Sequence, residues 1–322
     1  MPVTDNSINS AIQNQAVNDD NFENNDNRVI DDIPVMENPI NDYVADRNLS
    51  GIYGLSPSEL NDPNSIKVTI ADSEAPLVIL FGPPACGKTM TLVRMTRFLR
   101  SQGYVVAPIR TFRPTSDTNY SEICDRFNDT MNSDDAAQAT DRISFMLVEV
   151  IKNGRRICQI LEAPGEYYFN PKDPNANFPA YVHTIITSQN RKVWAIMVEP
   201  NWLDQRDRSN YVTRINRLKQ NMRPKDSTVF IFNKIDCTNF VRSVGYINTP
   251  AAIKEVGNLY PNIFVPFKNQ HPITKIWKEY NCDFVPFQTG FYTDSVNGLK
   301  YQEGPQEYCV KLWKCIMDKI RG

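Results

Sequence analysis

Two short stretches of this chain hold residues whose types and spacing can do chemistry. The first is GPPACGKTM, comprising Gly82, Pro83, Pro84, Ala85, Cys86, Gly87, Lys88, Thr89 and Met90. It fits the spacing G-x-x-x-x-G-K-[ST], in which glycines let the backbone wrap and point N–H groups inward at phosphate oxygens. Lys88 offers a mobile positive charge to the outer phosphates, and the Thr89 hydroxyl is a ligand for Mg²⁺. A helix opening at Gly87 adds its positive end. Cys86 inside the loop is read as a small filler, with a reactive thiol as the alternative. The second stretch is VFIFNKID, where Asn233, Lys234 and Asp236 follow an apolar run. A carboxylate placed like Asp236 can accept both N1–H and N2–H of guanine. Adenine lacks that donor pair and would leave the carboxylate unpaired, a mismatch that is discriminated strongly.

These residues need elements to hold them. The run APLVILF before the phosphate loop reads as a buried strand, and Leu92, Met95, Phe98 and Leu99 after it fall on one helical face. A strand follows at 104–109. Residues 111–142 are polar and weakly periodic, a long loop with a helix inside. ISFMLVEVI and RICQILEAPGE flank Asn153–Gly154, a hairpin signal. Strands are expected at 193–200, 228–234 and 283–287, with helices over 208–222, 250–259, 272–280 and 305–320. Strands alternating with helices, plus one hairpin, predict an α/β fold with a mostly parallel sheet, one antiparallel strand and helices on both faces.

The totals bound the rest. The chain has 322 residues, 41% apolar and 22% charged, ordinary values for a globular protein. No apolar run is long enough for a transmembrane segment, and the first residues lack the pattern of a secretory signal. Seven cysteines without a C-x-x-C pair suit a reducing, cytoplasmic setting better than a disulfide framework. His183 and His271 are the two histidines, too few for a zinc cluster. Residues 1–50 hold ten acidic residues against two arginines, a balance of −8 in a chain of net charge −2, which leaves +6 for the remainder. Residues 1–64 are therefore expected to be a disordered acidic, Asn-rich arm. The stretch 48–60, where apolar residues return, is its possible anchor. Residues 65–322 are read as one domain. It is only mildly basic and shows no Lys/Arg block interleaved with aromatics, so nucleic acid is not expected as a partner.

Taken in order, the two motifs and the hairpin between them resemble the Ras-like, translation-factor-type P-loop GTPase superfamily. The resemblance covers roughly 75–322. It implies a G domain that binds GTP and GDP with Mg²⁺, with protein effectors or regulators meeting its switch loops. By resemblance, Asn233 and Asp236 hold guanine, the Lys234 stem lies along the base, and Gly165 of LEAPGE occupies the Asp-x-x-Gly position. Thr289 and Gly290 of QTG stand roughly where the family has a Ser-Ala-type loop. Three departures stand out. Glu162 replaces the family's metal-linked Asp, and is either a longer metal carboxylate or a strand-end Glu with no such role. Glu166 stands where a Gln often orients the attacking water, so slow hydrolysis is expected. Thr140, 22 residues before Glu162, is the best candidate for the switch I threonine, with Thr111, Thr115 and Thr118 as rivals. The intervals of 74 residues from Lys88 to Glu162 and 53 from Asp236 to Thr289 imply insertions at about 111–142 and 240–282. Arg110, Arg113 and Arg155 are candidates to approach the phosphates, with a surface role as the alternative. An ATP-binding P-loop protein and a degenerate G domain serving as a scaffold remain alternatives to the GTPase reading.

Overall fold

A computed structural model describes residues 55–133, 145–168, 173–200, 204–295 and 298–322, without the side chains of Glu166, Tyr167 and 294–299. Seven strands form the central sheet: β1 Leu77–Phe81, β2 Val105–Pro108, β3 Met146–Lys152, β4 Arg155–Glu162, β5 Lys192–Val198, β6 Ser227–Phe232 and β9 Asp283–Pro286. Their order is β2-β3-β4-β1-β5-β6-β9. β3 runs antiparallel to both its neighbours, and every other pairing is parallel. The expected α/β, G-domain-like sheet with one reversed strand is therefore what the chain forms. The β3–β4 turn has positive φ at both Asn153 (51°) and Gly154 (72°), the backbone a two-residue hairpin turn needs.

Two small hairpins lie outside this sheet, β7 Val241–Ser243 with β8 Tyr246–Ile247, and β10 Phe291–Ser295 with β11 Gly298–Gln302. The helices are α1 Pro57–Asn61, α2 Lys88–Ser101, α3 Thr118–Asn132, α4 Gly165–Tyr168, α5 Ala180–Thr187, α6 Gln205–Asn221, α7 Thr249–Leu259 and α8 Gln306–Arg321.

Helices cover both sides of the sheet. β1 is buried at every residue, as a strand packed on two faces must be. On one face Val78, Leu80 and Ile160 meet Leu92 and Met95 of α2 and Leu312 and Ile316 of α8. Trp313 of α8 also stacks edge-on to Tyr104 at 5.5 Å, so the last helix packs on the domain. On the other face the Phe81 ring lies 5.0 Å from Tyr168 and 6.1 Å from Tyr211 of α6.

The described residues include part of the stretch upstream of residue 65. Ser56 and Glu59 form a reciprocal capping box on α1, and Leu55 and Ile66 are buried in the core. Residues 1–54, most of the expected arm, lie outside the described residues. The polar stretch after β2 contains α3, capped by Asp117 and burying Tyr120, Cys124, Phe127 and Met131 at helical spacing. The helix expected over 272–280 is a correction: only Thr274–Ile276 is regular, as a 3₁₀ turn. The His271 ring caps the single turn by accepting from the N–H groups of Ile273 and Thr274, and beyond it the Lys278 and Glu279 carbonyls accept across the loop from Asn269.

Candidate nucleotide-binding site

Parallel strands place their outgoing loops at one end, where an open α/β sheet holds its ligand. The phosphate-loop stretch leaves β1, Glu162 ends β4, Glu199 follows β5, Asn233 follows β6 and Thr289 follows β9. The phosphate loop turns tightly, with Ala85 at φ 60° and Gly87 at φ 90°. Gly87 has a second reason to lack a side chain: a Cβ there would sit 2.5 Å from Nδ2 of Asn233. Pro83, Cys86, Thr89 and Met90 are buried, whereas Pro84 and Ala85 are exposed. Lys88, itself buried, turns back to donate from Nζ to the Pro83 carbonyl at 2.8 Å.

Glu162 reaches this loop directly. Its Oε1 accepts from the Thr89 hydroxyl at 3.1 Å, and its Oε2 accepts from the Phe145 backbone N–H at 2.8 Å. The side chain is 2% exposed. Glu162 is thus tied to the loop through Thr89. Gly165 lies against the same loop: a Cβ there would fall 2.4 Å from the Pro83 carbonyl carbon and 2.7 Å from Lys88 Nζ. No side chain fits at 165 without moving the phosphate loop. Glu166 is the next residue of α4; its side chain lies outside the described set, as does all of Thr140.

The second motif joins the first through Asn233. Its Nδ2 donates to the Cys86 carbonyl at 3.0 Å, and its buried Oδ1 has no hydrogen-bond partner among the described residues. Lys234 sits in the left-handed region and pairs with Glu199, while Asp236 is exposed. Glu199 was legible as an acid ending the β5 run. The Thr289 methyl comes within 3.5 Å of where a Gly87 Cβ would be, so QTG borders the phosphate loop. Thr289 is held by Tyr301, whose hydroxyl donates to its carbonyl at 2.8 Å, and Gly290 packs against the Tyr301 ring. Tyr292 hydrogen-bonds the Thr289 hydroxyl at 3.3 Å. Burial raises the Tyr292 pKa, and the Asp236 charge adds to that.

The remaining sequence candidates separate cleanly. Burial pushes the Cys86 thiol up to about 11, so it is a filler in the loop and not a nucleophile. Arg113 is buried and bridges Glu59 at 2.6 Å and Asp117 at 2.8 Å, which ties α1 to α3. Arg110 pairs with Asp125 on the surface. Arg155 begins β4, the end of that strand remote from Glu162. Among the described residues no three His, Cys, Asp or Glu side chains gather as a metal cluster. No described helix is long and apolar enough to cross a membrane.

No family model matches the chain, and no curated protein matches it. Solved structures similar to it include a nucleolar GTP-binding protein 1 from Plasmodium falciparum, at 15% identity over 79% of this chain and 90% of that one, with TM-score 0.38. The chloroplast translocon components atToc33 and psToc159 match at 10% identity over 77% and 83%, with TM-score 0.41. The S. cerevisiae Ski7 GTPase-like domain matches at 14% identity over 77% of this chain and 51% of that one, with TM-score 0.38. At such identities and scores these likenesses decide nothing about the site, whose reading rests on this chain's own residues.

Proposed function

We propose that the chain binds GTP and GDP with Mg²⁺ and acts as a slowly hydrolysing switch. The observation that carries this reading is Asn233, whose amide joins the NKID turn to the phosphate loop at Cys86 and leaves a buried oxygen for a ligand donor. Phosphates lie in the Gly82–Thr89 loop, where Lys88 exchanges its bond to the Pro83 carbonyl for phosphate oxygens. The base lies against Asn233, the Lys234 stem and Thr289–Gly290, with Asp236 taking the two guanine donors.

The donor set fits a hard cation. Thr89 Oγ1 and Glu162 Oε1 are two oxygens 3.1 Å apart at the floor of the loop. Thr89 and Glu162 would hold a magnesium ion there, together with phosphate and water oxygens. When bound it neutralises charge that develops on the transferring phosphoryl group. Gly165, where no side chain fits, leaves room for the γ-phosphate to approach α4. Glu166 follows Gly165 in the sequence and carries a carboxylate where a Gln amide often orients the attacking water. A negative charge at that position of the pattern would oppose the γ-phosphate, which is the basis for expecting slow turnover. Effectors or regulators read the loops that change.

Asp236→Ala tests the assignment of the base. Affinity for GTP should fall ~100-fold while the unfolding midpoint stays within a few degrees and ATP affinity does not change. Retained preference for GTP over ATP in this variant contradicts the base assignment.

A further inference from the structure

The segment that leads into β9 has a feature the nucleotide site does not require. Residues 270–279 are ten consecutive exposed residues, yet they are fixed in place. The neck of the loop is closed by Asn269 N–H to the Glu279 carbonyl at 2.8 Å and by Asn281 N–H to the Phe267 carbonyl at 2.6 Å. Inside it, the Asn269 amide donates to Thr274 Oγ1 and to the Lys278 carbonyl, both at 2.9 Å. Below the neck, Phe264 packs on Tyr280 at 5.4 Å and on Phe230 at 5.0 Å. Ile273, Ile276 and Trp277 lie in and beside the 3₁₀ turn at Thr274–Ile276. They remain 59%, 73% and 77% exposed.

Three large apolar side chains on a fixed, projecting loop mark a surface that another phase or partner covers. The charge around them indicates which. From Lys268 to Lys278 there are three lysines and no acidic residue. Lys219 at the end of α6 lies 5.5 Å from the Phe267 ring, and Lys319 at the end of α8 pairs with Asp283, which bring two more cations to the neck. Both acids nearest the tip lie at the neck: Glu279 closes it through its backbone, and Asp283 is already paired to Lys278 and Lys319. Tryptophan and isoleucine among lysines suit the boundary between headgroups and acyl chains.

We propose that loop 269–279 docks this protein on an anionic lipid surface. Trp277, Ile276 and Ile273 enter the boundary region, and Lys268 and Lys275 lie on the headgroups. The loop feeds the N-terminal end of β9, whereas the nucleotide loops leave the C-terminal ends of the parallel strands. Docking therefore leaves the nucleotide site open, and the proposal does not depend on what that site binds.

The test is cosedimentation of the full chain with vesicles of phosphatidylcholine plus phosphatidylserine, and with phosphatidylcholine alone. Binding is expected with the mixed vesicles and should weaken with added salt. Trp277→Ser should lower the partition coefficient about tenfold or more, and Lys275→Glu about fivefold. Both variants should keep the wild-type unfolding midpoint, since both positions are exposed. Three outcomes overturn the proposal: no binding by the wild type, equal binding to neutral vesicles, or undiminished binding by Trp277→Ser. A wild type that self-associates through this loop, with Trp277→Ser monomeric, assigns the surface to a second copy instead.

Discussion

At the scale of single residues, the centre of the site is a carboxylate with one methylene more than the family pattern. Glu162 uses that length to hold the Thr89 hydroxyl and the Phe145 N–H together. Glu162→Gln keeps the length and removes the charge. Nucleotide affinity with Mg²⁺ present should drop by tenfold or more, while affinity in chelator should change little; isothermal titration in the two buffers separates these. Equal affinities for wild type and variant with Mg²⁺ present contradict a metal role. The cysteines allow a second check. The Cys86 thiol has a folded pKa near 11, above the ~8.5 of a free thiol. A raised pKa contributes stability that is whole below the unfolded value and is lost as pH climbs through the folded one. Cys86→Ala should therefore flatten the loss of stability between about pH 8.5 and 11. At pH 8, alkylation should reach the exposed Cys237 and spare Cys86. Equal labelling of the two contradicts the buried filler.

At the scale of elements, α6 acts as a clamp on the chain after Gly165. Arg214 is 1% exposed and donates to the carbonyls of Tyr168, at 2.9 Å, and Ala176, with Phe178 stacked 4.1 Å from its guanidinium. Arg217 adds bonds to Asn175 and Asn177. Burial lowers the Arg214 pKa to about 10, so it stays charged at neutral pH. Arg214→Met should leave buried carbonyls unpaired, at roughly 1–3 kcal/mol. Hydrogen exchange over 165–178 should quicken severalfold while β1 and β5 remain protected. Unchanged exchange there contradicts the clamp.

The helix itself was expected over 208–222, but its clamp was not legible in advance. A buried arginine and a surface arginine look alike in sequence, and the helix 205–221 announces only its apolar face. The central strands were legible because burial on two faces forces continuous apolar runs, and the β3–β4 turn because Asn-Gly fits positive φ. The β10–β11 hairpin carries the same signal at Asn297–Gly298, and helix α5 sets Tyr181, Val182, Ile185 and Ile186 against His183, Thr184 and Thr187, a helical period that is short because the helix has only eight residues. Within the site, the phosphate loop and NKID were readable as local strings. The contacts that join them are not local: Asn233 to Cys86 spans 147 positions and Thr89 to Glu162 spans 73.

At the scale of the whole domain, the two ends of the sheet differ in character. The C-terminal ends of its strands gather a phosphate loop, a carboxylate and the NKID turn. The entry to β9 carries the basic, apolar-tipped loop. A ligand that binds only the folded state stabilises it by mass action, about 2.7 kcal/mol at 100 times its dissociation constant. Saturating GDP should accordingly raise the unfolding midpoint of the wild type, and Lys88→Ala should abolish that rise. A rise that survives Lys88→Ala means the loop is not the phosphate site. The most direct test is to titrate nucleotide-free protein with fluorescent GDP and then compete with GTP or ATP in Mg²⁺. Displacement by GTP and not by ATP is the predicted result; equal displacement by both, or no binding of the probe at all, contradicts a site built to hold guanine.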